Sequence, residues 1–246
     1  MCRLLGAVST EITDYELSLA LAPRSLAALS PDHPHGWGLA LHDGRRGWEV
    51  YRNTTCARED DRFRSLAGSA RGRFLVAHVR NRTVGPTSFA NTHPFRRDGW
   101  VFAHNGTIKD LAFLDRKTSG ERRREVEGDT DSERFFAFLL TAIDRAGDAK
   151  NLDAALASAC SSLTAQRDAG AANFLLSDGK TMFAHRWGRT LHTLERGDKT
   201  FLIASEKTTD EAWTEVAEGT LLRVDRGARP TVTTLLSPAR RLSACG

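Results

Sequence analysis

Met1-Cys2-Arg3-Leu4-Leu5-Gly6-Ala7-Val8 opens the chain, and its reading decides the fold. Cys2 to Val8 is a short, mostly apolar run, which predicts a buried strand. Cys2 stands directly behind the initiator methionine. Cysteine is small enough that removal of Met1 is expected. Removal would put a thiol and a free α-amine on one residue. The thiol is a strong nucleophile once deprotonated, and an α-amine titrates at about pH 8, so the amine can take the thiol's proton. One residue then holds both nucleophile and base, with no separate histidine. Taken alone, an early cysteine reads more simply as a small buried side chain. Clusters further along the chain decide between the two readings.

The chain has 246 residues, 40% hydrophobic and 27% charged. That suits a soluble globular protein, read here as one domain over residues 1–246. No apolar run approaches the roughly 18 residues of a membrane span. The N-terminal run is too short for a secretory signal and is soon followed by Glu11 and Asp14. A cytoplasmic protein with no membrane partner is expected. The four cysteines, Cys2, Cys56, Cys160 and Cys245, form no CxxC pair and no zinc spacing. The last three are expected to be reduced and structural, and no metal or organic cofactor is expected. The formal charge is +4 and the pI about 9.1. The arginines are interleaved with acids, however, as in Arg122-Arg123-Arg124 beside Glu121, Glu125 and Glu127. A polyanion site needs clustering on one element with aromatics between the charges, so nucleic acid is not an expected partner.

Strand signals recur at Gly36 to His42, Gly47 to Arg52, Arg73 to Arg80, Gly99 to His104, Asn173 to Ser177, Thr181 to Arg186, Thr200 to Ala204, Thr220 to Asp225 and Thr231 to Leu235. The first two flank Asp43-Gly44, a hairpin signal whose loop is expected to extend into Arg45-Arg46. Helices are predicted over Asp14 to Ala22, Glu59 to Ala67, Asp131 to Ala146 and Leu152 to Gln166. The third is strongest, with Phe135, Phe138, Leu139, Ala142 and Ile143 at helical spacing. Arg116 to Gly128 reads as a polar, mobile loop. Runs of strands around grouped helices imply an α+β protein of antiparallel sheets covered by helices, not alternating βαβ units.

Four clusters carry chemistry. Arg80 ends a buried strand, and its planar fork of donors suits a carboxylate. Asn91-Thr92-His93-Pro94-Phe95 reads as a turn or loop packing element, in which His93 could be catalytic but reads more simply as structural. In Phe102-Ala103-His104-Asn105-Gly106 a strand is read to end at Asn-Gly. The asparagine offers a side-chain N–H, and glycine lets a ligand approach a backbone N–H, so the pair can form an oxyanion hole. Asn-Gly is also a common hairpin turn, but Thr107-Ile108-Lys109-Asp110 makes a poor returning strand. Gly128-Asp129-Thr130-Asp131-Ser132-Glu133 opens the strongest helix. Acids there cap free N–H groups, and a carboxylate at that entrance can also pair with a substrate ammonium.

Cys2, Arg80, Asn105-Gly106 and Asp131 within Thr-Asp-Ser-Glu occur in the order seen in class II glutamine amidotransferases, N-terminal-nucleophile (Ntn) hydrolases. The match resembles the stand-alone, YafJ-like type over nearly the whole chain. His35-Gly36-Trp37-Gly38, Asn91 to Phe95, Ala103 to Gly106, Gly128 to Glu133, Asn173 to Gly179 and Ala204-Ser205-Glu206 with Trp213 all carry the likeness. The resemblance implies a four-layer αββα sandwich. It also implies that Cys2 is nucleophile and, through its amine, base. Arg80 would hold a glutamine α-carboxylate and Asp131 the α-ammonium, with Asn105 and Gly106 as the oxyanion hole. Two departures stand out. Asn81-Arg82-Thr83-Val84 replaces the Trp-Ala-Thr-His that follows the arginine in the best-known domains, leaving only Thr83 to act in substrate binding. His35 stands where relatives carry aspartate.

The expected reaction is hydrolysis of the γ-amide of glutamine through a Cys2 thioester, releasing ammonia and glutamate. In a true amidotransferase, ammonia would pass to a separate synthase. A γ-glutamyl amidohydrolase like the ergothioneine-pathway enzyme is the rival hydrolase. That enzyme shares Met-Cys-Arg and Ala-His-Asn-Gly but tends to lack the full Thr-Asp-Ser-Glu. A catalytically silent binding module on the same fold is the alternative from another class.

Overall fold

The structure is a computed structural model that describes residues 2–236; Cys245 lies outside them. Two antiparallel sheets form its centre. The first has seven strands in the order β11 (Thr214–Glu215), β9 (His192–Arg196), β10 (Thr200–Ala204), β1 (Arg3–Asp14), β4 (Arg71–Val79), β2 (Trp37–His42) and β3 (Glu49–Asn53). The second has six: β13 (Pro230–Leu236), β12 (Leu221–Arg226), β8 (Thr181–His185), β7 (Gly170–Ser177), β6 (Trp100–Ile108) and β5 (Phe95–Arg97).

Three buried clusters define four layers. Leu4 and Val8 point into the space between the sheets, where they meet Phe74, Val76, Val101, Ala103, Leu175 and Met182. Leu5 and Ala7 point the other way, into a core with Phe63 and Ala67 of α2 (Asp61–Ser69) and Leu26 of the short α1 (Leu26–Leu29). β1 is therefore buried on both faces, which is why Leu4 to Val8 shows a continuous apolar run instead of alternation. The outer face of the second sheet carries Phe102, Phe174, Leu176 and Phe183. These pack on Phe135, Phe136 and Leu139 of α5 (Asp131–Ala146) and on Leu156 and Leu163 of α6 (Ala149–Thr164). Phe102 stacks on Phe136 with ring centres 5.1 Å apart and nearly parallel. The sheets approach closely at Gly6, where a Cβ would lie 2.9 Å from Leu175 and Met182 side chains. The result is the expected αββα sandwich.

The local expectations fare unevenly. The Asp43 carboxylate accepts the Arg45 and Arg46 N–H groups, both at 2.7 Å, which fixes the extended hairpin loop. β1 runs on to Asp14, so the helix expected to start there is only a π-helical turn over Leu17–Leu21. Past a bulge, Thr13 and Asp14 pair with Gly72 and Arg71, and an Asp14–Arg71 ion pair holds the end. The expected loop at 116–128 instead holds the end of α3 (Leu111–Lys117) and all of α4 (Gly120–Arg124). Asp110 and Ser119 cap them, accepting the Phe113 and Arg122 N–H groups. Arg122 is buried against Asp98, Glu125 and Asp144. β5, β9, β11 and α1 were not anticipated; each has five residues or fewer. Cys56 and Cys160 are buried free thiols.

Candidate active site

The site forms where β1 begins, β4 ends and β6 crosses from the other sheet. The register Arg3↔Val79 sets Cys2 against the exit of β4. There the Asn81 backbone N–H donates to Cys2 Sγ at 3.4 Å, and the Cys2 thiol lies 3.5 Å from the Asn81 carbonyl. Burial pushes the Cys2 thiol up, opposed by that Asn81 N–H and by the positive charge of Arg80. The sulfur is therefore a protonated thiol at neutral pH, which a base must activate before it attacks.

Arg80 is 3% exposed. Its guanidinium donates to the Val84 carbonyl at 2.9 Å and the Pro86 carbonyl at 3.1 Å. The loop after β4 thus curls back to aim the arginine that precedes it. Asn91, fully buried, fastens that loop to the start of α5: it donates to the same Pro86 carbonyl at 3.0 Å and accepts the Asp129 N–H at 2.9 Å. His35 holds the outer side, accepting the Arg82 N–H on Nδ1 at 3.2 Å. The departures at His35 and Asn81 to Val84 are thus built into one hydrogen-bonded loop. Thr83 lies at its lip, 3.4 Å from Thr107 of β6 across the cleft.

At the start of α5 the acidic residues divide their tasks. Thr130 caps the helix by accepting the Glu133 N–H. Glu133 accepts the Glu127 and Gly128 N–H groups at 3.1 and 2.6 Å and pairs with Arg97, so its role is to fix the loop. Asp131 is buried and turns into the cleft, where one oxygen accepts the Ile108 N–H at 2.7 Å. His104 stands behind it with Nε2 facing the Ala171 carbonyl at 3.0 Å. Nε2 therefore carries the hydrogen, and Nδ1 accepts from Ser132 at 2.9 Å while lying 3.9 Å from Asp131. Burial lowers its pKa, against the pull of Asp131, and keeps it neutral.

The strand read to end at Asn-Gly continues to Ile108. β6 pairs with β7 without a break from Val101↔Ser177 through Asn105↔Asn173 and Gly106↔Ala172 to Ile108↔Gly170. Asn-Gly is here neither a turn nor a strand end, because β7 supplies ladder partners throughout. Asn105 shares the parity of Val101 and Ala103 and so faces the space between the sheets. A Cβ on Gly106 would lie 2.0 Å from the Ala171 carbonyl oxygen and 2.7 Å from His104 Nε2. Only glycine fits so close a crossing.

Cys2, Arg80, Thr83, Gly106 and Asp131 line one small cleft. Asn105 lies beside it, on the strand that brings Gly106. His93, read as structural, also lines the cleft; it is buried and lies 4.3 Å, centre to centre, from the ring of His78. Sequence reading missed the part played by Asn91 and His78. An asparagine in a turn-rich stretch looks like a turn former, and a histidine in an apolar strand looks like filler. Among the described residues, no group of three or more His, Cys, Asp or Glu side chains is placed to hold a metal ion, and no helix is long and apolar enough to cross a membrane.

The arrangement puts a thiol, a cation and an anion around one cleft. Comparison with known proteins agrees. Residues 1–198 match the family model described as class II glutamine amidotransferases. YafJ of Escherichia coli is 29% identical over 80% of this chain and 76% of its own. The γ-glutamyl-hercynylcysteine sulfoxide hydrolase of Mycobacterium tuberculosis is 30% identical over 91% of this chain and 93% of its own. A solved glutamine aminotransferase class-II domain protein from Silicibacter pomeroyi superposes with a TM-score of 0.69 at 20% identity, covering 95% of this chain and 99% of that one. This last likeness supports the fold.

Proposed function

The chain belongs to the class II glutamine amidotransferase family, and on that premise we propose that it hydrolyses the γ-amide of glutamine through a thioester on Cys2. The observation that carries the reading is the position of Cys2 Sγ in one cleft with Arg80 and Asp131. These are opposite charges fitted to an α-carboxylate and an α-ammonium. Arg80 is already held by two carbonyls, so its remaining donors are pre-aimed at the cleft. Removal of Met1 frees the Cys2 α-amine. Because burial keeps the thiol protonated, the amine takes the proton as sulfur attacks the amide carbon. Asn105 and Gly106 stabilise the oxyanion, at about 3 kcal/mol per donor. The C–N bond breaks, the nitrogen leaves with the proton, and the thioester remains. Water activated by the α-amine then releases glutamate.

The decisive variant is Cys2→Ala. Glutaminase turnover is expected to vanish while the circular dichroism spectrum and melting temperature stay unchanged. Retained turnover rejects the proposal. Labelling by diazo-oxo-norleucine is expected at Cys2 alone, in protein whose intact mass shows Met1 removed. A second reading, a hydrolase of γ-glutamyl conjugates, is favoured by the similarity to the mycobacterial enzyme over 93% of its length. Comparing kcat/KM for free glutamine with that for γ-glutamyl amides separates the two. Ammonia transfer to a separate synthase belongs to the first reading only.

A further inference from the structure

The carbon attacked by Cys2 carries four groups in its tetrahedral state: the sulfur, the oxyanion, the chain to the α-carbon and the amide nitrogen. On the proposed reading, which this inference rests on, the first three meet Cys2, Asn105 with Gly106, and Arg80 with Asp131. The nitrogen must meet what remains of the lining, whose polar side chains are Asn81, Thr83, His93, His104, Thr130 and Ser132; Thr83 sits at the lip, its hydroxyl 3.4 Å from that of Thr107. Most of these are already committed. His104 uses both ring nitrogens, on Ser132 and on the Ala171 carbonyl. Thr130 accepts the Glu133 N–H, and the Asn81 carboxamide donates to the Asp32 carbonyl at 3.1 Å.

His93 is the exception. It is 3% exposed, and neither ring nitrogen has a partner among the described residues. His78 lies against it, fully buried, with no well-formed hydrogen bond to either nitrogen, the His104 backbone being its nearest polar neighbour. His78 lies on β4 and Arg80 just past its end, two residues on, so the two side chains leave the chain on the same side. A buried ring that makes no hydrogen bond forgoes what water gave it, and native proteins keep few such groups. Burial, with the charge of Arg80 nearby, pushes His78 down to about 3, and burial holds His93 well below its ordinary value. Each ring is therefore neutral, with one lone pair to accept and one N–H to donate.

We propose that His93, backed by His78, is the binding site for the leaving amine, ammonia or a primary amine. As the tetrahedral state collapses, the C–N bond breaks and its electron pair stays on nitrogen. The proton that the Cys2 α-amine took from the thiol passes to that nitrogen. The imidazole changes no protonation state; it accepts one of the nitrogen's own N–H groups. By the same geometry, an amine attacking the thioester enters through this site.

The test compares the full-length chain with its His93→Phe variant on three reactions: hydrolysis of L-glutamine, hydrolysis of the γ-methyl ester of L-glutamate, and capture of the thioester by hydroxylamine. The ester's leaving oxygen carries no hydrogen of its own, so it cannot use the imidazole lone pair that the amide nitrogen uses. In His93→Phe, kcat/KM for glutamine and the hydroxamate yield should each fall about tenfold, the worth of one hydrogen bond. The ester should stay within twofold. His93→Gln, which keeps an acceptor, should recover most of the amide rate. If His93→Phe fails to fold, His93→Leu and His78→Phe carry the same comparison, with the larger loss expected on the amide. Equal losses on amide and ester, or an undiminished amide rate, overturn the leaving-amine site and leave the Cys2 chemistry standing. A wild-type chain that turns over neither substrate removes the underlying reading instead.

Discussion

Arg80 is held by the chain that follows it. Its guanidinium bonds the carbonyls of Val84 and Pro86, so a flat fork of donors is fixed before any substrate arrives. A lysine would present a point charge on a flexible stem and could not bond both carbonyls and a carboxylate together. Arg80→Lys is therefore expected to raise KM for glutamine about a hundredfold with kcat changed less than threefold, two good charge-assisted contacts being worth roughly that much. An equal fall in kcat with KM unchanged would show that Arg80 acts elsewhere. Cys2, Arg80 and Asp131 stand out in the sequence through their order and the family resemblance, and the fold brings all three to one cleft. His78 and His93 do not. Their importance lies in what they fail to touch, and that depends on a loop reaching back over a strand.

Among elements, the loop after β4 and the entrance of α5 act as one unit because Asn91 joins them. It bonds the Pro86 carbonyl, which Arg80 also uses, and the Asp129 N–H two residues before Asp131. Asn91→Leu would strip partners from two backbone groups while leaving them no room to rehydrate. A loss of about 2–4 kcal/mol in stability follows from two orphaned buried groups, measured by urea unfolding. KM for glutamine is expected to rise more than kcat falls, because Arg80 and Asp131, proposed to grip the substrate, lose their frame. Unchanged kinetics in a destabilised variant would assign Asn91 to packing alone. The course of β6 makes a similar point about legibility. Asn105-Gly106 looks like a chain reversal in any local window, and only β7, over sixty residues away, makes it a continuous strand. Likewise the 116–128 stretch looked mobile because its charges seemed solvated. Arg122 finds Asp98 and Asp144, each more than twenty positions distant, and such pairings have no local signature. The long apolar helix α5 and the central strands were legible because their periodicity is local.

Among the described residues, buried histidines whose pKa is lowered by burial include His33, His78, His93, His104 and His185. His78 is lowered to about 3 and His185 to about 4, chiefly by burial. The unfolded chain protonates these rings at about pH 6.5, and the folded chain only at lower pH. Stability is thus full above that value and falls as pH drops towards the folded values. Between pH 6.5 and pH 5, His78 and His185 should each cost about 2 kcal/mol, and His93 adds to the loss. Urea midpoints measured from pH 7.5 to pH 5 should fall accordingly, and a flat profile would contradict the neutral core. Each sheet holds only part of the cleft: Cys2 and Arg80 belong to one, Gly106 to the other, and Asp131 sits on the helix behind the second. Turnover is consequently a gauge of how tightly the two halves of the sandwich are seated. During refolding, a preparation with its far-ultraviolet signal fully regained but its halves still ajar would be catalytically mute, so enzyme assay times the last closing step of maturation where spectroscopy of the backbone sees nothing.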